Sequence, residues 1–394
     1  MTEEDIHKTF HFIEDDPFQR LISNRRKSGT KRSPLTMLIF ALFVAYAPLI
    51  VISAMEGTFN SRGSDVPLVR DVALHLRFLL AVPILILSRP VVQRSTSAVC
   101  EYTYNVLLCE EDREHVFLPA VKRVRHHNES WTSLVVILVL VIGVSFFLHI
   151  SSVEDPSVIS LRGWFGAPDS GGFKVSSTYI WYSTISMSLF RFLLLKWLWT
   201  YCGWIWLLIK IAGCKLNLTP HHSDKVCGLN LLVFPQNGFN LLFVALAITS
   251  SGAFINRMLY RHASFEFILL EIGILVAASF VMLLGPYLFF MPKLFAARRL
   301  ANFSMATKSH QLSADYDREW IQTKVTGNAD EKPDPSVMID FYSTYEITEK
   351  IRPLVFNVRD LVALAVPIAL AFLPTLLTKM SLKELLEIIL RFIV

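Results

Sequence analysis

The chain has 394 residues, 53% of them hydrophobic, with 29 Phe and 8 Trp, and its mean hydropathy is +0.45; a water-soluble fold of this length could not hide so much apolar surface. The net charge is +5 and the pI about 8.9, but the basic residues cluster beside apolar segments, where they orient a chain in a bilayer and meet anionic headgroups. Membrane lipids are therefore the expected partner, and nucleic acid is not. Five cysteines, Cys100, Cys109, Cys202, Cys214 and Cys227, form no CxxC pair and no secreted disulfide framework.

Residues 1–34 are polar and basic, with Arg20, Arg25, Arg26, Lys27, Lys31 and Arg32 just before the first apolar run. No cleavable signal peptide is apparent, so the first span is expected to stay as a signal anchor, with the N-terminus in the cytoplasm. Spans are predicted near 35–55, 73–91, 132–150, 178–198, 238–256, 267–290 and 360–378, each close to the roughly 20 residues that cross about 30 Å of hydrocarbon. The expected fold class is all-α, a polytopic membrane protein of about seven transmembrane helices filling 35–378. Alternation then puts 92–131, 199–237 and 292–359 inside the cell, each rich in Lys and Arg. Arg257 and Arg261, in a short loop assigned to the outside, run against that bias.

Taken in chain order, span two carries His75 and Arg77 near its outer end, and residues 92–131 read as its continuation into a helical hairpin that ends with His126 and His127. From Thr178 to Cys214 the helical pattern is too long for one crossing and lacks a turn signal. It is expected to project into the cytoplasm or turn along the interface, with Trp197, Trp199, Trp204 and Trp206 at interfacial depth. In span five, Ala247, Ser250 and Ser251 form a small-residue face suited to close packing or self-association, which makes a homo-oligomer an expectation. Gly285-Pro286, Pro367 and Pro374 are candidate hinges. Residues 324–335 read as a flexible link, and 379–394 as an amphipathic interfacial helix, with Ser381 and Glu384 in capping-box spacing. No internal repeat is seen, so an inverted-repeat transporter has no support from the sequence.

The most distinctive local sequence is Leu218-Thr219-Pro220-His221-His222-Ser223-Asp224-Lys225-Val226-Cys227-Gly228-Leu229. It resembles the Thr-His-Pro-Asp-Lys/Arg-x-Gly-Gly-Leu loop of a family of uncharacterised bacterial multi-pass inner-membrane proteins, through Pro220, His222, Asp224, Lys225, Gly228 and Leu229. Ser223 stands where that motif has proline, and Cys227 where it has its first glycine. The resemblance implies a bacterial inner membrane and brings no activity with it. From the residues alone three readings stand. Thr219 or Asp224 could cap a turn that Pro220 starts and Gly228 releases; His221, His222 and Asp224 could relay protons or ions; or the same three, as imidazoles and a carboxylate, could bind a transition metal such as Zn²⁺, the one cofactor the sequence brings to mind.

Charges inside the spans are the other candidates, because one at the bilayer centre costs about 2.5 to 3.5 kcal/mol on insertion scales. Arg191 falls near the middle of span four, while Arg77 and Glu271 fall at similar depth, so that Arg77 with Glu271 is the simplest ion pair. Lys196 lies near the inner mouth, either extending that field or snorkelling to the surface. Two arginines on one route would favour anions, with Glu271 offsetting them or accepting protons. The leading function is thus a transporter or channel for an ion or small solute, anionic or proton-coupled. The competing readings are an integral-membrane metal-dependent enzyme, for which no HExxH, GxSxG or clustered-aspartate motif is present, and a non-catalytic sensor or assembly scaffold.

Overall fold

The computed structural model of the protein describes residues 10, 34–60, 65–153, 162–169, 172–322 and 335–380. The basic N-terminal segment, the link from 324 and the C-terminal amphipathic helix lie outside the described residues, except for Phe10, Pro34, Pro335 and residues 379–380.

Among the described residues the architecture is helical. In chain order the helices are α1 (Pro34–Met55), α2 (Val72–Leu107), α3 (Glu110–Glu129), α4 (Trp131–Val153), α5 (Ser177–Gly213), α6 (Asn230–Tyr260), α7 (Phe265–Tyr316), α8 (Pro335–Glu349) and α9 (Val358–Leu377). Six of them, α1, α2, α5, α6, α7 and α9, are long and apolar enough to cross a membrane, and the pair α3–α4, bent by 52°, brings the count to seven when taken as one span. The chain is thus a polytopic helical membrane protein. Ile39, Phe43, Val51, Ile142, Phe146, Phe267 and Leu270 stand exposed on α1, α4 and α7. In water such surfaces would drive aggregation, and in a bilayer they face acyl chains.

Three helices run well past the predicted span ends. α2 has 36 residues, α5 has 37 and α7 has 52, or about 54, 56 and 78 Å at 1.5 Å per residue. α2 and α7 each run on through a proline step, Arg89-Pro90 and Gly285-Pro286. The Gly285-Pro286 step tightens α7 locally into a 3-10 turn over Gly285–Phe290 without ending it, since proline removes one backbone donor and is tolerated where a new turn begins. Residues Ser177–Gly213 form one continuous helix, α5. Its face at Trp197, Tyr201, Trp204, Leu208 and Ile211 is buried, following the i, i+4, i+7 spacing of a packed helix. Trp197 and Trp204 therefore point into the protein. The Trp197 indole donates to the Leu85 carbonyl at 2.7 Å, and Trp199 and Trp206 are the half-buried tryptophans of that group.

α6 is the central helix. Gly238 and Gly252 lie on one of its faces, and a Cβ added there would sit 2.9 Å from Val92 Cγ2 or 2.8 Å from Ala73 Cα, so α2 and α6 are in near-backbone contact. On its other side Asn240 donates to the Leu364 carbonyl (3.1 Å) and Ser251 pairs with Thr375 (2.7 Å). The small-residue face at Ala247 and Ser251 thus packs inside the chain, against α9. A two-stranded antiparallel hairpin that the sequence reading did not foresee, β1 (Gly166–Asp169) with β2 (Gly172–Val175), pairs Gly166 with Val175 and Ala167 with Lys174. It lies between α4 and α5, on the face opposite the N-terminal end of α1. We call that face the far face, and the other, which holds α3 and the ends of α5 and α7, the basic face.

Candidate functional site

Two irregular turns meet inside the bundle. In α2 the hydrogen-bond ladder widens to a π-turn over Arg77–Ala81, and in α5 over Tyr182–Ser186. Such bulges turn side chains out of the regular helical register and recur at functional sites. The first residue of each meets the other: an Arg77 Nη1 hydrogen bond reaches the Tyr182 hydroxyl, and the same nitrogen lies 3.2 Å from Met187 Sδ. The guanidinium sits 5.6 Å above the Phe190 ring. The Tyr182 ring is held edge-on by Trp164 at 5.1 Å and Phe78 at 6.4 Å. Arg77 Nε is buried without a hydrogen-bond partner among the described residues.

Arg191, farther along α5, donates to Ser145 Oγ of α4 at 2.7 Å. It acts electrostatically on the same Tyr182, as do Arg77 and Asp71. Neither arginine is paired with a carboxylate among the described residues. Asp71 is already engaged as the N-cap of α2, accepting from Leu74 N (2.9 Å), Trp164 Nε1 (2.8 Å) and Asn256 Nδ2 (2.8 Å). Glu56 does a similar job at the start of α5, accepting from the backbone N–H groups of Ser177 and Thr178 and from the Thr178 hydroxyl. Burial alone would raise the Glu56 pKa, but these donors bring it below the ordinary carboxylate value.

Glu271 is bonded elsewhere. Its carboxylate accepts from Arg257 Nη1 at 2.6 Å, so the Arg77–Glu271 pair expected from equal depth does not form. α7 begins next to the end of α6, and that short connection brings Glu271 to Arg257. The same bond balances one of the two far-face arginines that ran against the charge bias. The Lys196 ammonium donates to the Asn128 carbonyl at 2.8 Å, tying α5 to the end of α3.

The loop from 218 to 230 is organised around Asp224. Its carboxylate accepts from the backbone N–H groups of Val226 (2.9 Å), Gly228 (3.1 Å) and Asn230 (3.2 Å) and lies 2.9 Å from His222 Nδ1. Burial would raise its pKa, but these donors outweigh that and hold it below the usual value. Around this hub Lys225, Cys227 and Gly228 take φ of 61°, 58° and 91°, and the Cys227 thiol is pushed up to about 11, first by burial and then by Asp224. His221 turns to another partner, Thr348 Oγ1 of α8, at 3.0 Å. Arg352 binds the loop backbone, donating from its N–H to the Lys225 carbonyl (2.8 Å) and from Nη2 to the Asp224 carbonyl (3.1 Å). Among the described residues no three His, Cys, Asp or Glu side chains come together to hold a metal ion. Lys225 bears its charge at the loop surface, and His126 and His127 are exposed.

The chain matches no family model, no curated protein and no solved structure.

Of the sequence candidates, Arg77 and Arg191 fall in one cluster, Glu271 and Lys196 are bonded outside it, and the histidine loop forms a separate knot on the basic face. Sequence reasoning missed Tyr182, Met187, Ser145, Asp71 and Glu56. Asp71 carried a readable signal, since an Asp directly before an apolar helical run is an N-cap; Tyr182 carried none.

Proposed function

We propose that the protein is a membrane transporter or channel for a small anion, with Arg77, Tyr182 and Arg191 as the point where the anion is held. The observation that carries this reading is that, among the described residues, two guanidinium groups within the crossing helices have only neutral partners: a phenol, a thioether, an aromatic face and a serine. Positive charge is costly in hydrocarbon and is normally paired or placed on a substrate route. A phenol hydroxyl and a serine can each exchange their bond to arginine for one to an anion. The asymmetric basic charge supports a cytoplasmic N-terminus, and the loop resemblance supports a bacterial inner membrane. The Zn²⁺ enzyme reading draws no support from a loop whose two histidines serve different partners. The scaffold reading draws on a separate observation, the extension of α7 and its side-by-side packing with α8 through Ser313 and Tyr342 (2.7 Å).

The test is anion flux into proteoliposomes holding the full chain, for chloride, nitrate, phosphate and small carboxylates, against empty vesicles. Flux of at least one anion is expected. Arg191→Gln should cut it about tenfold or more and Arg191→Lys much less, because one desolvated charge contact contributes on the order of 1.5–3 kcal/mol. Absence of flux for every anion, or flux unchanged in the Arg77→Gln/Arg191→Gln double variant, overturns the reading.

A further inference from the structure

On the basic face two cations share one indole. The Arg123 guanidinium of α3 lies 5.8 Å from the centre of the Trp206 ring, and the Lys210 ammonium of α5 lies 5.5 Å from it. Both cations are exposed and Trp206 is half-buried. Neither cation has a carboxylate partner among the described residues, in contrast to Arg125, which is bonded to Glu129 on the same helix at 2.8 Å. The ring attracts both charges, yet two like charges gathered at one ring repel each other until an anion comes between them.

The depth of this pair follows from the kink beside it. Ser130 breaks the α3–α4 helix, its extended backbone opening α4 while its Oγ accepts from Thr132 N, and the two helices diverge by 52°. With α4 along the membrane normal, that bend leaves Arg123 only about 6 Å below the foot of α4, within the headgroup layer. α4 packs inward through Leu134, Ile137 and Val141 against Phe192, while Val135, Val139 and Ile142 stand exposed. A cationic notch at headgroup depth thus lies at the base of an apolar helix wall, α4, tall enough to flank a lipid tail along its full length.

We infer that the notch formed by Arg123, Trp206 and Lys210 binds the phosphate headgroup of an acidic phospholipid whose acyl chains lie along α4. This site is separate from the Arg77–Tyr182–Arg191 cluster and does not depend on what that cluster does. Charge complementarity selects an anionic lipid over a zwitterionic one, whose choline would bring a third cation to the ring. The adjoining α4 surface selects a lipid over free phosphate.

Native mass spectrometry of the full chain in mild detergent, titrated with phosphatidylglycerol and with phosphatidylcholine of the same acyl chains, tests the inference. One phosphatidylglycerol should bind about tenfold or more tightly than phosphatidylcholine. At roughly fivefold per cation near an anionic surface, Arg123→Gln/Lys210→Gln should weaken it about thirtyfold, while Lys308→Gln on α7 leaves it unchanged. Arg123→Gln alone alters one exposed side chain and gives the same direction should the double variant not fold. Trp206→Phe, which keeps a ring, should retain most of the binding that Trp206→Leu loses. Equal binding of the two lipids, unchanged phosphatidylglycerol binding in the Arg123 variants, or displacement of the lipid by millimolar inorganic phosphate would each overturn it.

Discussion

Asp224 shows how a residue picked out by its chemistry can serve a structural end. A carboxylate next to two histidines invites a metal or a proton relay, but its oxygens face three backbone N–H groups and one imidazole nitrogen. Those donors let the chain pass through left-handed φ at Lys225 and Cys227, where a β-carbon is strained by about 1 kcal/mol or more. Asp224→Asn should therefore lower stability by about 1.5–3 kcal/mol, because an amide keeps only one acceptor oxygen and turns its NH₂ toward backbone donors. Thermal unfolding in detergent measures this, and an unchanged midpoint would remove Asp224 as the hub. The pH dependence has a definite sign. The folded pKa lies below the ordinary 3.8, so the carboxylate's contribution is complete above that value and is lost as pH falls through the lower folded value. Near neutrality the melting point should not respond to this group, and wild type should approach the Asn variant only in strong acid. The sequence allowed Asp224 its capping role, whereas the Arg77–Tyr182 bond depends on two π-turns in helices 105 positions apart, which no local pattern encodes.

At the scale of elements, apolar runs located the described helices long and apolar enough to cross a membrane, because a length of hydrocarbon is a one-dimensional requirement that a sequence states directly. Where the helices stop was less legible. α5 and α7 run past their predicted span ends without breaking, since there their stability comes from packing on α3 and α8, and packing partners are not written locally. The Ser130 kink falls at the boundary drawn between the hairpin of 92–131 and the span at 132–150, but its angle was not legible there. α6 packs in a way that sequence reading only partly anticipated. The serine and alanine face was recognised, but the closest approach is on the opposite side, at Gly238 and Gly252, with Ala245 fully buried between them. Spacing of seven keeps these three on one stripe. A methyl group at position 252 would meet the backbone of Ala73, whereas at position 238 it first meets the Val92 side chain. Gly252→Ala should thus cost about 1–3 kcal/mol and resist repair. Gly238→Ala should cost less and be recovered by Val92→Ala. Melting curves of the single and double variants decide this, and equal, non-rescuable losses at both sites would show that the α2–α6 spacing is not set by side-chain room.

The molecule as a whole is two-sided, and the division follows its charges. The basic face holds the ends of α2 and α5, all of α3 and the Asp224 loop, with Lys122, Arg123, Arg125, Lys210, Lys215 and Lys225 distributed over them. The far face carries the β1–β2 hairpin, and its Arg257 is balanced by Glu271. Because a bilayer with an anionic cytoplasmic leaflet retains short basic loops on that side, this asymmetry predicts the basic face in the cytoplasm and the hairpin outside. The chain's own thiols can report it. Cys109, between α2 and α3, and Cys202 are exposed, while Cys100, Cys214 and Cys227 are buried. In a Cys202→Ser background, Cys109 then reports the basic face, and Lys174→Cys places a second reporter on the exposed edge of β2. A membrane-impermeant maleimide applied to intact cells should label position 174 at once and Cys109 only after the membrane is opened. The reverse order would invert the orientation and place the Arg123–Trp206–Lys210 notch in the outer leaflet. Labelling of both positions from outside would break the seven-crossing topology, because an odd number of crossings between residue 109 and residue 174 is what keeps the two reporters on opposite sides.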